Sequence, residues 1–385
     1  MIERERIQQE ARDMTNTNTK HNIFPLEEKH IRLLQELSEA RSPSGFEDES
    51  VQAARHYAAP FCRIEEDHLR NLYLYPGNFK GNKPIFLLDA HSDEVGFMVH
   101  SIHPTGCLRF VQLGSWSLST LPGMPVRVRN KEGNWIPGVI AARPPHFMSK
   151  EERNHPLVQE ISQLVIDIGA RSAEEAEQRS GIRIGEPAVA DVSFFYEPSS
   201  GLFRGKAFDC RIGCAALLIS LEQLAQEENL PFDVVGLLSS QEEVGERGIK
   251  VAINRIDPDV AICFEGCPAD DTFGETYAIQ TRLGSGPMLR FMDQSVICNP
   301  RFQRWALDQA GAEQIPAQAS VREGGGNNAA VVQAQLRGAP AIVMGVPVRY
   351  IHGPQGLSVE QDLAATIQLA CQLTRTLKPE LLATF

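Results

Sequence analysis

The chain has 385 residues, 42% hydrophobic and 22% charged, with a formal net charge of −12. This is the composition of a soluble globular protein with apolar material for one large domain or two ordinary ones. The acidic balance argues against nucleic acid and anionic membrane surfaces as partners, and no apolar run reaches the roughly eighteen residues of a membrane-spanning helix.

Residues 1–24 are polar, with "TNTNTK" near their centre, and read as a loose extension. No hydrophobic segment follows the charges of "MIERERIQQE", so they do not form a secretory leader, and a cytoplasmic location is expected. A helix follows in "EEKHIRLLQELSEAR", where Ile31, Leu34 and Leu37 recur at helical spacing. "SPSGFED" breaks it, a second helix occupies "ESVQAARHYAAPF", and "RIEEDHLRNLYLYPG" is strand-like. "KPIFLLDAHSDEVGFMV" holds a short continuous apolar run, the mark of a strand buried on both faces.

From about residue 100 to 195 the texture changes. Short alternating segments such as "LRFVQL", "PVRVRN" and "WIPGVIAA" are punctuated by Gly and Pro, which predicts a small inserted barrel or sandwich of strands. From about 200 an α/β rhythm returns. "DCRIGCAALLISLEQLAQEEN" carries Leu217, Leu218, Leu221, Leu224 and Ala225 on one stripe and is expected to be an amphipathic helix. The strands "FDVVGLLSS", "DVAICF" and "APAIVMGV" alternate with helices, one starting at Pro300 and a last one spanning about 358–378. The expected fold is α/β, a mostly parallel sheet flanked by helices. Residues 25–99 and 196–385 would form its main domain and 100–195 the insert.

Eight cysteines stand at 62, 107, 210, 214, 263, 267, 298 and 371. Their spacing is not that of a small disulfide scaffold, and a cytosolic chain keeps them reduced. Cys210/Cys214 and Cys263/Cys267 form C-x3-C pairs that could close a structural zinc site, but small buried residues are the expected reading.

Several apolar runs end in a metal-capable side chain. "IFLLDA" delivers His91 and Asp93, "VVGLLSSQ" delivers Glu242 and Glu243, "VAICF" delivers Glu265 and "AIVMGVPVRYI" delivers His352. Asp209 sits at the start of the long helix, where the helix dipole favours a negative charge. Open α/β sheets bind ligands at the carboxyl ends of their strands, so these residues share one expected address. Each alone has a bland reading as a satisfied histidine or a solvated acid; the coincidence at several strand ends carries the inference. Mixed imidazole and carboxylate donors suit Zn²⁺ or Co²⁺, with Mn²⁺ a further candidate, and their number suits two ions. In such a site a water held between the ions becomes a hydroxide near neutral pH, and one of the adjacent glutamates can take its proton. Gly324, Gly325 and Gly326, with Asn327, are candidate substrate contacts, the glycines letting backbone approach a ligand.

At these residues the sequence resembles the TET or glutamyl-aminopeptidase-like family of co-catalytic metallopeptidases. The matching segments are "DAHSDEVGFMV", "GKAFDCRIG", "SSQEEVGERG" and "PVRYIHGP", in the family's order, and the likeness covers nearly all of the chain after about residue 25. The resemblance implies a zinc-peptidase type of fold and a metal pair held by His91, Asp209, Glu243, Glu265 and His352, with Asp209 bridging. It also implies Glu242 as general base and Asp93 as the acid that orients His91. It further implies peptide substrates with a free N-terminus, a β-rich insert that dimerises, and homo-oligomers up to a dodecameric tetrahedral shell. The chain departs from the family pattern at Glu265, where an Asp is usual, at Asn327 and Asn328 in "GGGNNAA", and at Gly356, where a glutamate is common. Competing readings are a hydrolase of a non-peptide amide, a catalytically altered shell-forming binding protein, and a metal-free glycosidase using Glu242 and Glu265, which leaves the histidines without a task.

Overall fold

A computed structural model describes residues 24–141, 143–150, 153, 160–335 and 337–385. The expected extension falls on residues outside that set, apart from Phe24. In chain order, α1 (Glu28–Glu39) and α2 (Asp48–Ala58) precede an antiparallel pair, β1 (Cys62–Glu66) and β2 (Leu72–Pro76). β3 (Ile85–His91) leads into β4 (Gly96–Ile102), β5 (Leu108–Leu113), β6 (Pro125–Arg129), β7 (Trp135–Ala141), β8 (Val165–Asp167) and β9 (Pro187–Ala190). β10 (Phe195–Glu197) and β11 (Leu202–Gly205) lead to α3 (Phe208–Leu224). Then follow β12 (Asp233–Ser239), α4 (Arg247–Ile256), β13 (Val260–Pro268), β14 (Met288–Met292) and α5 (Pro300–Ala312). The chain ends through β15 (Gln318–Val321), α6 (Ala329–Ala334), β16 (Ala341–Val348), β17 (Gly356–Val359), α7 (Glu360–Thr376) and α8 (Pro379–Leu382).

Eight strands form the central sheet in the order β1-β2-β12-β3-β13-β16-β14-β15. The four middle strands, β12, β3, β13 and β16, run parallel, with antiparallel neighbours at β2 and β14. Their near-continuous Val, Ile and Leu content follows from helices on both faces. In β3, Phe86, Leu88 and Ala90 join a core shared with α1, α3 and α7, while Leu87 joins the opposite core with α4 and α6. That is the period of two expected of a strand.

α3 differs from its expected character. It is buried almost all round, from Phe208 to Leu224, rather than amphipathic. α1, α7 and the sheet enclose it, so the leucine stripe has no solvent-facing counterpart. "RIEEDHLRNLYLYPG" folds as two strands, turning at Arg70 with φ of 74°.

Between β3 and α3 lies a closed barrel, β4-β5-β8-β7-β6-β9, which is the inserted β unit. Its core is centred on Phe97, which stacks on Trp116 at 5.0 Å and meets Phe110 edge-on at 4.9 Å. The chain passes from β3 into the barrel a few residues after His91; beyond β9, the separate sheet strands β10 and β11 lead to α3, at whose start Asp209 stands. The entry to the barrel therefore falls beside His91, one of the residues singled out in the sequence.

Candidate metal centre

The parallel strands β3, β12, β13 and β16 present their carboxyl ends on one side. Register pairs Ser239 directly with His91, so the turn after β12 carries Glu242 and Glu243 alongside it. Glu265 lies within β13, the loop after β16 brings His352, and Asp209 occupies a non-helical first turn of α3. Sequence neighbours play no part in this assembly; strand order does.

Asp209 stands at the centre. Its Oδ1 is 3.0 Å from His91 Nε2 and its Oδ2 is 3.1 Å from His352 Nε2. Glu265 lies 3.6 Å from His91 Nε2, and Glu243 lies 3.8 Å from His352 Nε2. Two groups of donor atoms, each within 4.8 Å of one another, result: His91, Asp209, Cys210 and Glu265, and Asp209, Glu243 and His352. They share Asp209. Donors about 2.0–2.2 Å from a tetrahedral ion sit roughly 3.3–3.6 Å apart, so the residues fit a metal pair. Glu243 Oε1 is buried with no hydrogen-bond partner, a carboxylate oxygen facing nothing that the protein supplies. The Cys210 thiol donates to the Phe264 carbonyl at 3.2 Å. Among the described residues no metal-sized group includes Cys214, Cys263 or Cys267, so the C-x3-C pairs do not close a zinc site.

The electrostatics match this geometry. Burial, followed by neighbouring acids, pushes Glu242 and Glu243 well above the usual carboxylate range, and Glu265 is raised for the same leading cause. Burial opposes the charged form of His91, yet its bond to Asp209 and the Asp93 carboxylate beside it hold it well above the ordinary value. For Asp209, burial acts upward and is outweighed by His352 and His91, which hold it low. Without cations the centre must therefore keep protons on buried acids and a charge on a buried imidazole. Divalent cations would displace both.

Asp93 is fully buried behind His91, its Oδ1 3.4 Å from Nδ1. The same Oδ1 accepts the Glu242 N–H at 2.9 Å, and Oδ2 accepts the Glu243 N–H at 3.2 Å and the Ser44 hydroxyl at 2.6 Å. Glu242 is 3.9 Å from His91 Nε2 and belongs to neither donor group.

The centre opens into a cavity of 540 Å³ whose wall includes Ser115, Arg290, Arg322 and Gly324–Gly326. Asn327 is elsewhere: fully buried, it donates to Asp293 at 2.6 Å and does not line the cavity. Asn328 donates to Asp89 and Ser239, both at 2.7 Å. Sequence reading missed the barrel's part in the site. Ser115 lines the cavity, the Ser117 N–H reaches the His352 carbonyl at 3.4 Å, and the position of Gly114 lies against Glu243. The segment "GSWS" carries no chemical signature; only the tight glycine turn hints at it. Arg290, in the middle of β14, and Arg322, just after β15, carry no signature in the sequence that sets them apart from other arginines.

The profile of the M42 glutamyl aminopeptidase family matches residues 71–369. The glutamyl aminopeptidase of Lactococcus lactis is 33% identical over 88% of this chain and 94% of its own length. A TET aminopeptidase from a marine-sediment Thaumarchaeota archaeon superposes with a TM-score of 0.87 at 36% identity, covering 93% of this chain and 99% of that one. A TET peptidase of Pyrococcus horikoshii, which can assemble into a tetrahedron or a large octahedral shell, matches with a TM-score of 0.80 at 27% identity, over 90% of this chain and all of that one.

Proposed function

Since the chain belongs to the M42 glutamyl aminopeptidase family and is a metal-dependent aminopeptidase, we propose that it removes N-terminal residues from peptides with a two-metal site. The carrying observation is the placement of Asp209, one oxygen towards each histidine, with Glu242 beside the pair but outside both donor groups. His91 and Glu265 would hold one ion, His352 and Glu243 the other, and Asp209 both. When bound, the ions polarise the scissile carbonyl and lower the pKa of the attacking water; zinc or cobalt suits this donor set.

The chain's own groups do the rest. Glu242 takes the proton from the attacking water and passes it to the leaving amine. Its side chain is only 12% exposed, and that burial raises its basicity well above that of an ordinary carboxylate. Asp93 fixes the His91 ring through Nδ1 and leaves Nε2 for the metal. The cavity wall of Gly324–Gly326 lets substrate backbone lie close. A free α-amine would be received beside Glu265. The shells of the Pyrococcus relative support a homo-oligomer, and the barrel would contribute its contacts. Eight free cysteines support a reducing, cytoplasmic setting.

The test is a fluorogenic aminoacyl panel run with and without chelator and with Zn²⁺, Co²⁺ or Mn²⁺ added back, beside elemental analysis. Release from free N-terminal residues that stops with chelator is expected. Glu242→Gln should keep its metal and lose roughly 10²–10⁴-fold in kcat. A variant near the wild-type rate removes Glu242 from the role of base. Cleavage confined to non-peptide amides, or bound metal without turnover, overturns the peptidase reading.

A further inference from the structure

One fully buried acid close to the centre belongs to no donor group. Glu47 stands at the start of α2, within "SPSGFED", and is 0% exposed. Its Oε1 accepts two backbone N–H groups, from Gly45 at 2.8 Å and from Gln241 at 3.1 Å. The next two amides, of Glu242 and Glu243, go to the two oxygens of Asp93 at 2.9 and 3.2 Å. Three consecutive N–H groups of one turn thus point at two buried carboxyls from separate parts of the chain. A run of adjacent amides is an anion-binding concavity, usually filled by a ligand. Here the protein fills it with its own side chains.

That arrangement bears on Glu242 through the backbone. Gln241 holds a left-handed conformation, φ 53°, which a residue with a side chain leaves readily unless something holds it. The Glu47 bond ties down the amide immediately before the base. If Gln241 relaxes, the Cα–Cβ direction of Glu242 swings, and a proton-transfer group tolerates little misplacement. Burial, with the Asp93 charge beside it, pushes the Glu47 carboxyl up to about 7, and Oε2 has no partner. A proton on Oε2 leaves Oε1 free to accept both amides.

We propose that Glu47 is a positioning residue for the peptidase reaction, clamping the Gln241 amide so that the turn aims Glu242 at the metal pair. The proposal rests on the assignment of Glu242 as base made above. Glu47 touches neither substrate nor metal; it acts through the turn.

Glu47→Ala and Glu47→Gln separate this from a merely structural role. The measurements are steady-state kinetics, metal content, thermal melting, and amide hydrogen exchange over the Gln241–Glu243 turn in the metal-loaded protein. Alanine removes the acceptor, so exchange at Gln241 should quicken by roughly tenfold or more, the scale of one lost hydrogen bond. kcat should fall about 10–100-fold with KM within a few-fold and both metals retained. Glutamine keeps a carbonyl oxygen in the Oε1 position, so exchange and kcat should return to within a few-fold of wild type. Unchanged exchange in Glu47→Ala, an unchanged kcat, or a glutamine variant as impaired as alanine overturns the proposal. So does a kcat loss that appears only with lost metal. If the wild-type protein cleaves no aminoacyl substrate, the functional reading fails instead, and the exchange comparison still decides the clamp.

Discussion

Replacing Asp93 with Asn removes one charge and one acceptor at a fully buried hub, and the consequence can be worked from its bonds. Oδ1 serves the Glu242 N–H at 2.9 Å and faces His91 Nδ1 at 3.4 Å; Oδ2 serves the Glu243 N–H at 3.2 Å and Ser44 at 2.6 Å. Ser44 can rotate its hydroxyl, but a backbone N–H cannot. Whichever way the amide is turned, its NH₂ meets one of those two N–H groups, leaving a buried donor unsatisfied at a cost of about 1–3 kcal/mol. The His91 ring loses its anionic partner as well, and loss of such a partner weakens metal binding by roughly 10–100-fold. Asp93→Asn should therefore unfold at lower urea by an amount equivalent to about 1–3 kcal/mol, against a total of about 5–15 for a folded protein. Its metal affinity, read by competition with a chromophoric chelator, should drop by about one to two decades. Metal affinity within twofold of wild type in a folded variant would refute the idea that Asp93 orients His91.

Other outcomes follow from the same contacts. In metal-stripped protein, Glu242 and Glu243 are raised from 4.5, chiefly by burial, and His91 is raised from 6.5 despite burial. The folded state then holds more protons than the unfolded chain above about pH 4.5, so stability must fall as pH rises. Asp93 and Asp209, both lowered, lose their contribution only below about pH 4 and do not alter that window. The Tm of chelator-treated protein should fall between pH 5 and 8, and added Zn²⁺ should abolish the fall; a rising Tm would contradict the assignment. Gly114→Ala places a Cβ 2.7 Å from Val95 and 3.1 Å from Glu243 Oε2, at φ 76°. Metal content by elemental analysis should fall below that of the wild type, with activity falling in step. Asn328→Asp sets a second carboxyl against Asp89, itself pushed up to about 7 mainly by burial, where an amide donor stood. It should cost about 1–3 kcal/mol in urea unfolding, and Asp89→Asn added to it should recover much of the loss by restoring a donor.

The centre was legible where chemistry and strand pattern coincide. "IFLLDAH" and "VAICFE" each read as a buried strand ending in a ligand type, and the parallel sheet brings such ends together by topology alone. What stayed hidden depends on which surfaces meet. α3 reads as amphipathic because its leucines form a stripe, and nothing local says that α1 and α7 cover the remaining sides. "SPSGFED" reads only as a helix breaker, yet Ser44 and Glu47 reach the Asp93 hub and the Glu242 turn. Asn327 and Asn328 look like a lost acid beside a glycine loop. Their partners, Asp293 just after β14 and Asp89 in β3, lie far off in the sequence, so the amides are the donors these buried acids require.

The charge around the centre also explains why its residues need ions to be stable together. Asp93, Asp209, Glu242, Glu243 and Glu265 crowd one buried region, and the fold's nearby cations are already engaged. Lys206 is bonded to Glu94 at 2.6 Å, and Arg211 lies 3.6 Å from that same acid. Arg290 is held by Asp293 at 2.9 Å, Arg322 by Asp270 at 2.7 Å and Arg349 by Asp271 at 2.6 Å. His91 and His352 bond directly into the cluster, and one positive charge on each would leave most of the negative charge unmatched. Two dications would neutralise four of the five carboxylates and return the histidines to the neutral form that ligates. Arg290 and Arg322, each held by its own acid, add their polarity to the cavity wall beside the cluster.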